Sequence, residues 1–262
     1  MTATTTPVHA ASMQQSSPER GAEVLLDQVG AFVAELRELS ADEWARATDC
    51  PAWDVRQIAA HVAGALDEGA HMRVMIRHSL GAKRRGGPFV DGLNAGQVAD
   101  RPHRSGPEIA DEIERLAPKA ARKRRTTPGL VRGRTAPGGV LRPGSTMAYL
   151  MDVIYQRDVW MHRVDTARAT GRALRPASSD AEVVGQVIRD LALDWPGPAA
   201  VLELTGPGAG RWLLGSGEPA GTARIDSVEY LRLLADRPAD PAITVDGDPM
   251  VGEALRRARV AF

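Results

Sequence analysis

Residues 157–165 read Arg157-Asp158-Val159-Trp160-Met161-His162-Arg163-Val164-Asp165, and their spacing decides the fold. Extended upstream, Met147, Met151, Ile154, Asp158, His162 and Asp165 recur at steps of three and four. They therefore share one face of a helix expected over residues 145–169. Gly171 follows where a C-cap belongs. The upper part of that face is apolar and points into a core. The lower part sets a carboxylate and an imidazole one turn apart on a buried stripe. An unpaired carboxylate there carries a large desolvation cost, so something positive must meet it. Two readings meet the demand. An Asp158–His162 ion pair, or an arginine partner for Asp158, completes a polar core. Alternatively, the i, i+4 pair converges on a metal ion.

A third group sits upstream. Asp54 offers an N-cap for a helix carrying Val55, Ile58, Val62 and Leu66, with His61 in line with Ile58 and Ala65. A histidine in that setting is either a hydrogen-bonded core residue or a ligand. One His from this helix and an Asp-His pair from the later one make the census of a three-ligand site, which helical bundles build from facing helices. Three protein ligands leave a position open, as catalytic zinc sites do. Together the three residues favour the metal reading.

Two further helices complete a four-helix bundle with two long connections. The first spans residues 21–40, with Leu25, Val29, Phe32, Leu36 and Leu39 on one face. Another starts at Pro107 and runs through Ile109, Ile113, Leu116 and Ala120. Residues 81–107 and 122–143 are rich in Gly, Pro and Arg and are expected to be loops. Residues 1–18 are Thr-, Ser- and Gln-rich and are expected to form a disordered tail. The bundle is thus assigned to residues 19–175. After Pro176 the texture changes. A helix over residues 179–195 precedes strand-like runs at 200–205, 211–214, 222–225 and 242–245. Asp226 and Glu229 cap a helix between the last two runs, and a final helix follows Pro249. Residues 176–262 form a small α+β domain.

Cys50-Pro51-Ala52-Trp53-Asp54-Val55-Arg56, followed by Ala60-His61-Val62-Ala63-Gly64, resembles a motif of the mycothiol-dependent maleylpyruvate isomerase family, within the DinB-like bundle superfamily. The run 157–165 with Gly171 is similar to that family's second motif, and the match extends from about residue 21 to the end. The resemblance implies a DinB-like four-helix bundle followed by a small α+β domain akin to the sterol carrier fold. It also implies a divalent metal, usually zinc, on His61, Asp158 and His162. The family's usual acid at the second of these positions is glutamate; here it is Asp158, with a shorter arm. The implied chemistry is thiol activation. Mycothiol would bind the open metal position as a thiolate, since coordination lowers a free thiol's pKa of ~8.5. That thiolate adds to a small electrophilic substrate, giving an isomerase if it leaves again and an S-transferase if the adduct is the product. A non-catalytic binding or regulatory module on the same scaffold is the alternative.

Composition bounds the rest. Thirty-three basic and 33 acidic side chains cancel over 262 residues, which speaks against general attraction to nucleic acid or an anionic membrane. The single cysteine excludes an intrachain disulfide and a Cys-rich zinc site. No apolar run approaches ~18 residues, and the N-terminus has no signal-peptide pattern, so a cytoplasmic monomer or homodimer is expected. Cys50 itself reads as a small buried residue rather than a nucleophile. His71 and His78 fall beside Arg73 and Arg77 on an expected solvated face, His103 in a loop and His9 in the tail. Trp44, Trp53 and Trp160 read as packing anchors. The run Arg122-Lys123-Arg124-Arg125 reads as a solvated helix end, since no aromatic residues interleave. Arg237 is the candidate catalytic residue, a guanidinium able to hold a carboxylated substrate; its alternative is an exposed helix-end charge.

Overall fold

A computed structural model describes residues 6–137 and 141–262. The chain divides into two compact units, Ser16–Ala177 and a second made of Ser178–Phe262 with the N-terminal stretch up to Gln15.

The helical unit begins with α1 (Pro18–Arg37), whose N-cap Ser17 accepts from the Arg20 amide. Its buried face, Leu25, Val29, Phe32 and Leu36, is the one its periodicity predicts. α2 (Val55–Ala70) opens on a capping box, in which Asp54 accepts from the Gln57 amide and Gln57 from the Asp54 amide. α2 is buried almost throughout, from Val55 to Leu66 on every side that meets a neighbour. Each large apolar side chain so buried contributes about 1.5–3 kcal/mol. α5 (Gly106–Thr126) is capped by the same device at Ser105 and Glu108. α8 (Tyr155–Thr170) ends on Gly171, left-handed at φ 70° as its C-cap role requires. These four helices pack on one another around the core formed by Phe32, Ile58, Leu66, Ile109, Ile113 and Val159.

Three sequence expectations change here. Residues 81–107 are largely helical: α3 (Met72–Arg85) and α4 (Phe89–Ala99) pair with each other, and α4 lies on α2. Gly92 and Gly96 sit inside α4, where the glycine count suggested a loop. Gly92 allows close approach, since a Cβ there would come within 2.9 Å of the Ala82 backbone. Residues 122–143 continue α5 to Thr126 and then form the short α6 (Gly129–Arg132). Residues 138–140 of that expected loop lie outside the described residues. Finally, the helix expected over 145–169 is interrupted. α7 (Met147–Tyr149) passes through a π-turn at Leu150–Ile154 before α8 begins. The extra residue of a π-turn rotates everything upstream relative to a continuous helix.

In the other unit, five strands form one sheet in the order β1-β3-β2-β4-β5. β2 (Ala200–Thr205) pairs antiparallel with β3 (Gly210–Leu214) and parallel with β4 (Gly221–Asp226); β5 (Thr244–Gly247) runs antiparallel to β4. α9 (Asp180–Leu193), α10 (Ser227–Leu234) and α11 (Pro249–Arg257) complete the unit. The edge strand β1 (Val8–His9) falls inside the expected tail, of which residues 1–5 lie outside the described residues. β1 pairs parallel with β3. Ala10 after it is fully buried, and the carbonyls of Met13 and Gln14 accept from Arg189 and Gln186 of α9. So short a polar segment gains order only from a partner strand edge and from side chains distant in sequence. No helix of the described residues is long and apolar enough to cross a membrane.

Candidate metal centre

His61 projects from α2, and Asp158 and His162 from consecutive turns of α8. Their ligand atoms all lie within 4.8 Å of one another. His61 Nε2 stands 3.3 Å from Asp158 Oδ2, and His162 Nε2 stands 3.3 Å from Asp158 Oδ1. Those separations match the edge of a tetrahedron with bonds of ~2.0–2.1 Å, the length of zinc bonds to imidazole and carboxylate. Two imidazoles and one carboxylate are also a donor set that suits zinc. The residues present therefore fit a divalent metal.

The surroundings fix these groups. Nδ1 of His162 meets Oδ2 of Asp165 at 3.1 Å, and Asp165 is fully buried. Such a carboxylate sets the tautomer and orientation of a ligating histidine. Cys50 Sγ also donates to Asp165 Oδ2, at 3.5 Å. Trp53 stacks on His61, with ring centroids 4.8 Å apart and planes 29° apart. Both Cys50 and Trp53 are delivered by one turn, in which the Trp53 amide donates to the Cys50 carbonyl and Thr48 Oγ1 to the Trp53 carbonyl. The Cys-Pro-Ala-Trp-Asp segment thus ends in the α2 cap and seats two side chains against the cluster.

Burial disfavours a charged Asp158, but the charges of His162 and His61 outweigh it and hold the carboxyl well below the usual range. Burial likewise opposes the His162 cation. The Asp158 charge, with hydrogen bonds to Asp158, Asp165 and Cys50, raises its pKa well above that of a free imidazole. The side chains of His61 and His162 are 6% and 4% exposed, whereas Asp158 keeps 24%. The cluster is therefore reached from solvent over its carboxylate.

A family profile described as the mycothiol maleylpyruvate isomerase N-terminal domain matches residues 25–167, more than half of the chain, and spans all three groups. The chain belongs to that family. Two solved structures share the fold of this mycothiol maleylpyruvate isomerase family member. One is the crystal structure of the mycothiol-dependent maleylpyruvate isomerase, with a TM-score of 0.56 and 14% identity, covering 92% of this chain and 97% of that one. The other is a histidine-to-alanine mutant of such an isomerase, with a TM-score of 0.53, 15% identity and the same coverage. No curated protein gives a significant match.

The remaining sequence candidates are placed as follows. Arg237 belongs to the other unit, half-buried just past α10, with its amide donating to the Arg232 carbonyl. Cys50 is half-buried. His78 is not on a solvated face: it is 4% exposed, with Nδ1 2.6 Å from Glu68 and Nε2 2.8 Å from Asp100. A helix break at His71 turns it inward. His103 lies in the turn before α5 and His9 on the edge strand. The arginine run is not wholly solvated either, because Arg124 is 2% exposed. The signal for it was present, since 124 continues the step of four from Leu116 through Ala120. Arg124 extends that apolar face rather than ending it.

Proposed function

We propose that the chain is a metal-dependent enzyme that activates a low-molecular-weight thiol, mycothiol, for attack on a small electrophilic substrate. Zinc is the divalent metal we assign to His61, Asp158 and His162. The observation that carries this reading is the convergence of two imidazoles and one carboxylate from two helices within 4.8 Å. Family membership supports the thiol, which the solved relative's name states for that protein. A divalent metal at this position supplies a Lewis acid that lowers the pKa of a thiol at its open coordination position.

The chain's own residues have separable tasks in this proposal. His61 and His162 would each offer a ring nitrogen to the metal, and Asp158 supplies charge on the side open to solvent. Asp165 holds the His162 ring through Nδ1, and Trp53 covers one face of His61. Cys50 is a hydrogen-bond donor to Asp165 rather than the attacking sulfur. With no second cysteine in the chain, the reacting thiol comes from outside. Addition of that sulfur to an activated carbon–carbon double bond leaves a single bond free to rotate. Departure of the sulfur then restores the double bond in the other geometry. Retention of the sulfur would instead yield a transferase product. We also propose a cytoplasmic setting, where thiols stay reduced.

Metal analysis of protein purified without chelator tests the reading, together with a mycothiol-dependent conversion assay over a panel of electrophiles. We expect about one divalent ion per chain, lost in His162→Ala, and turnover that chelator abolishes. Metal-free wild-type protein with unchanged turnover after His162→Ala would overturn it.

A further inference from the structure

α3 carries basic side chains and no acidic one, in a chain whose charges cancel overall. Two of them, Arg73 and Arg77, line a solvent-open cleft of about 580 Å³ within the helical unit. Arg101 and Arg104, from the turn that joins α4 to α5, line it as well. Three carboxylates share the cleft with these four guanidinium groups: Asp67, Asp100 and Glu112.

The carboxylates are already engaged. Asp67 meets His71 Nδ1 at 2.6 Å and Arg101 Nη2 at 3.4 Å. Asp100 meets His78 Nε2 at 2.8 Å and also accepts from Arg77. Glu112 accepts from Arg101 through both oxygens, at 2.8 and 3.1 Å. Arg101 itself is 3% exposed, and its Nη1 donates to the Gln97 carbonyl at 3.1 Å. It forms a fixed, buried floor that ties two of the three acids down.

The exposed guanidinium groups are far less engaged. Arg73 has no hydrogen bond or ion pair among the described residues. Arg104 is half-exposed, and its Nε stands 3.6 Å from Glu112, beyond hydrogen-bond length. Arg77 gives one nitrogen to Asp100 and leaves more than half of its side chain in solvent. The cleft therefore has its acceptors spent and its donors to spare. Guanidinium forks with free N–H groups pair with the oxygens of phosphate and carboxylate, and here they are reached without moving the backbone. We propose that this cleft binds a small multivalent oxyanion, a phosphate- or carboxylate-bearing metabolite, through Arg73 and Arg104 with Arg77 beside them. It shares no residue with His61, Asp158 and His162, so it stands apart from the thiol-activation reading.

Isothermal titration of the full chain with inorganic pyrophosphate and with citrate tests the proposal. Titrations are run on protein as purified and after chelator treatment, at constant ionic strength set with sodium chloride. We expect one site per chain for at least one of the two anions, and the tighter of them marks phosphate or carboxylate as the natural group. Arg73→Gln and Arg104→Gln should each weaken it about threefold, and the double variant about tenfold. Both side chains are exposed, so the melting temperature without anion should not change. Arg84→Gln, on the same helix but outside the cleft, should keep the wild-type affinity within about twofold. No binding of either anion by wild type, or wild-type affinity in the double variant, would overturn the proposal. So would an equal loss in Arg84→Gln, which would mark general attraction to a basic helix. Binding that disappears on chelator treatment would overturn it too, because the anion would then be a ligand of the metal.

Discussion

Oδ2 of Asp165 stands 3.1 Å from Nδ1 of His162, the ring nitrogen turned away from Asp158. One fully buried carboxylate thus fixes which nitrogen of His162 faces the cluster. Removing that constraint leaves His61, Asp158 and His162 in place but frees one ring. Asp165→Asn should weaken zinc binding by ~10–100-fold while retaining the folded bundle. Competition with a chromogenic chelator measures it, and an unchanged zinc affinity would show that Asp165 does not orient the ligand.

Trp53 stacked on His61 gives the centre an optical reporter. Zinc addition to chelator-treated protein should change tryptophan fluorescence, and Trp53→Phe should abolish most of that change while zinc stoichiometry is kept. Persistence of the full signal in Trp53→Phe would assign it to another tryptophan.

Gly64 lies one turn beyond His61 where α2 meets α4. A Cβ there would fall 2.4 Å from Gln97 Cβ and 2.9 Å from its Cα. Gln97 is 2% exposed and has no room to retreat. Gly64→Ala should therefore cost about 1–3 kcal/mol of stability through overpacking. Urea unfolding measures it, and a variant as stable as wild type would mean that the two helices can separate without penalty.

Glu43 receives both Arg172 Nε and Nη2, at 2.8 and 2.9 Å, and the Ser40 amide at 2.8 Å. These bonds, the Arg172 pair foremost, lower its pKa from 4.5 to about 2. A folded-state pKa below the unfolded value means that this stabilisation is complete above pH 4.5 and is lost as pH falls toward about 2. Melting temperature should drop less between pH 4.5 and pH 2 in Glu43→Gln than in wild type. An identical acid limb in both proteins would remove Glu43 from the account.

The amphipathic steps of α1, α2, α5 and α8 and the caps at Asp54 and Gly171 were legible in the chain because they depend on neighbours within one turn. So was the placement of Asp158 and His162 on one helical face. The α3–α4 pair was hidden by its glycines. A glycine's loop propensity and its use in close helix contact look alike until the contacting backbone is known, as Gly92 against Ala82 shows. The edge strand was hidden for a related reason. Two residues carry no pattern, and Val8–His9 are ordered by β3 some two hundred positions away.

The same division runs through the site. Local spacing alone determined which residues could act as ligands and that two of them would sit a turn apart on a buried stripe. Only the tertiary structure brought His61 to Asp158 across 97 positions, seated Asp165 behind His162, and turned Arg124 inward with an idle edge. Helix periodicity depends on local geometry, but whether a buried charge is paired depends on what distant segments bring to it.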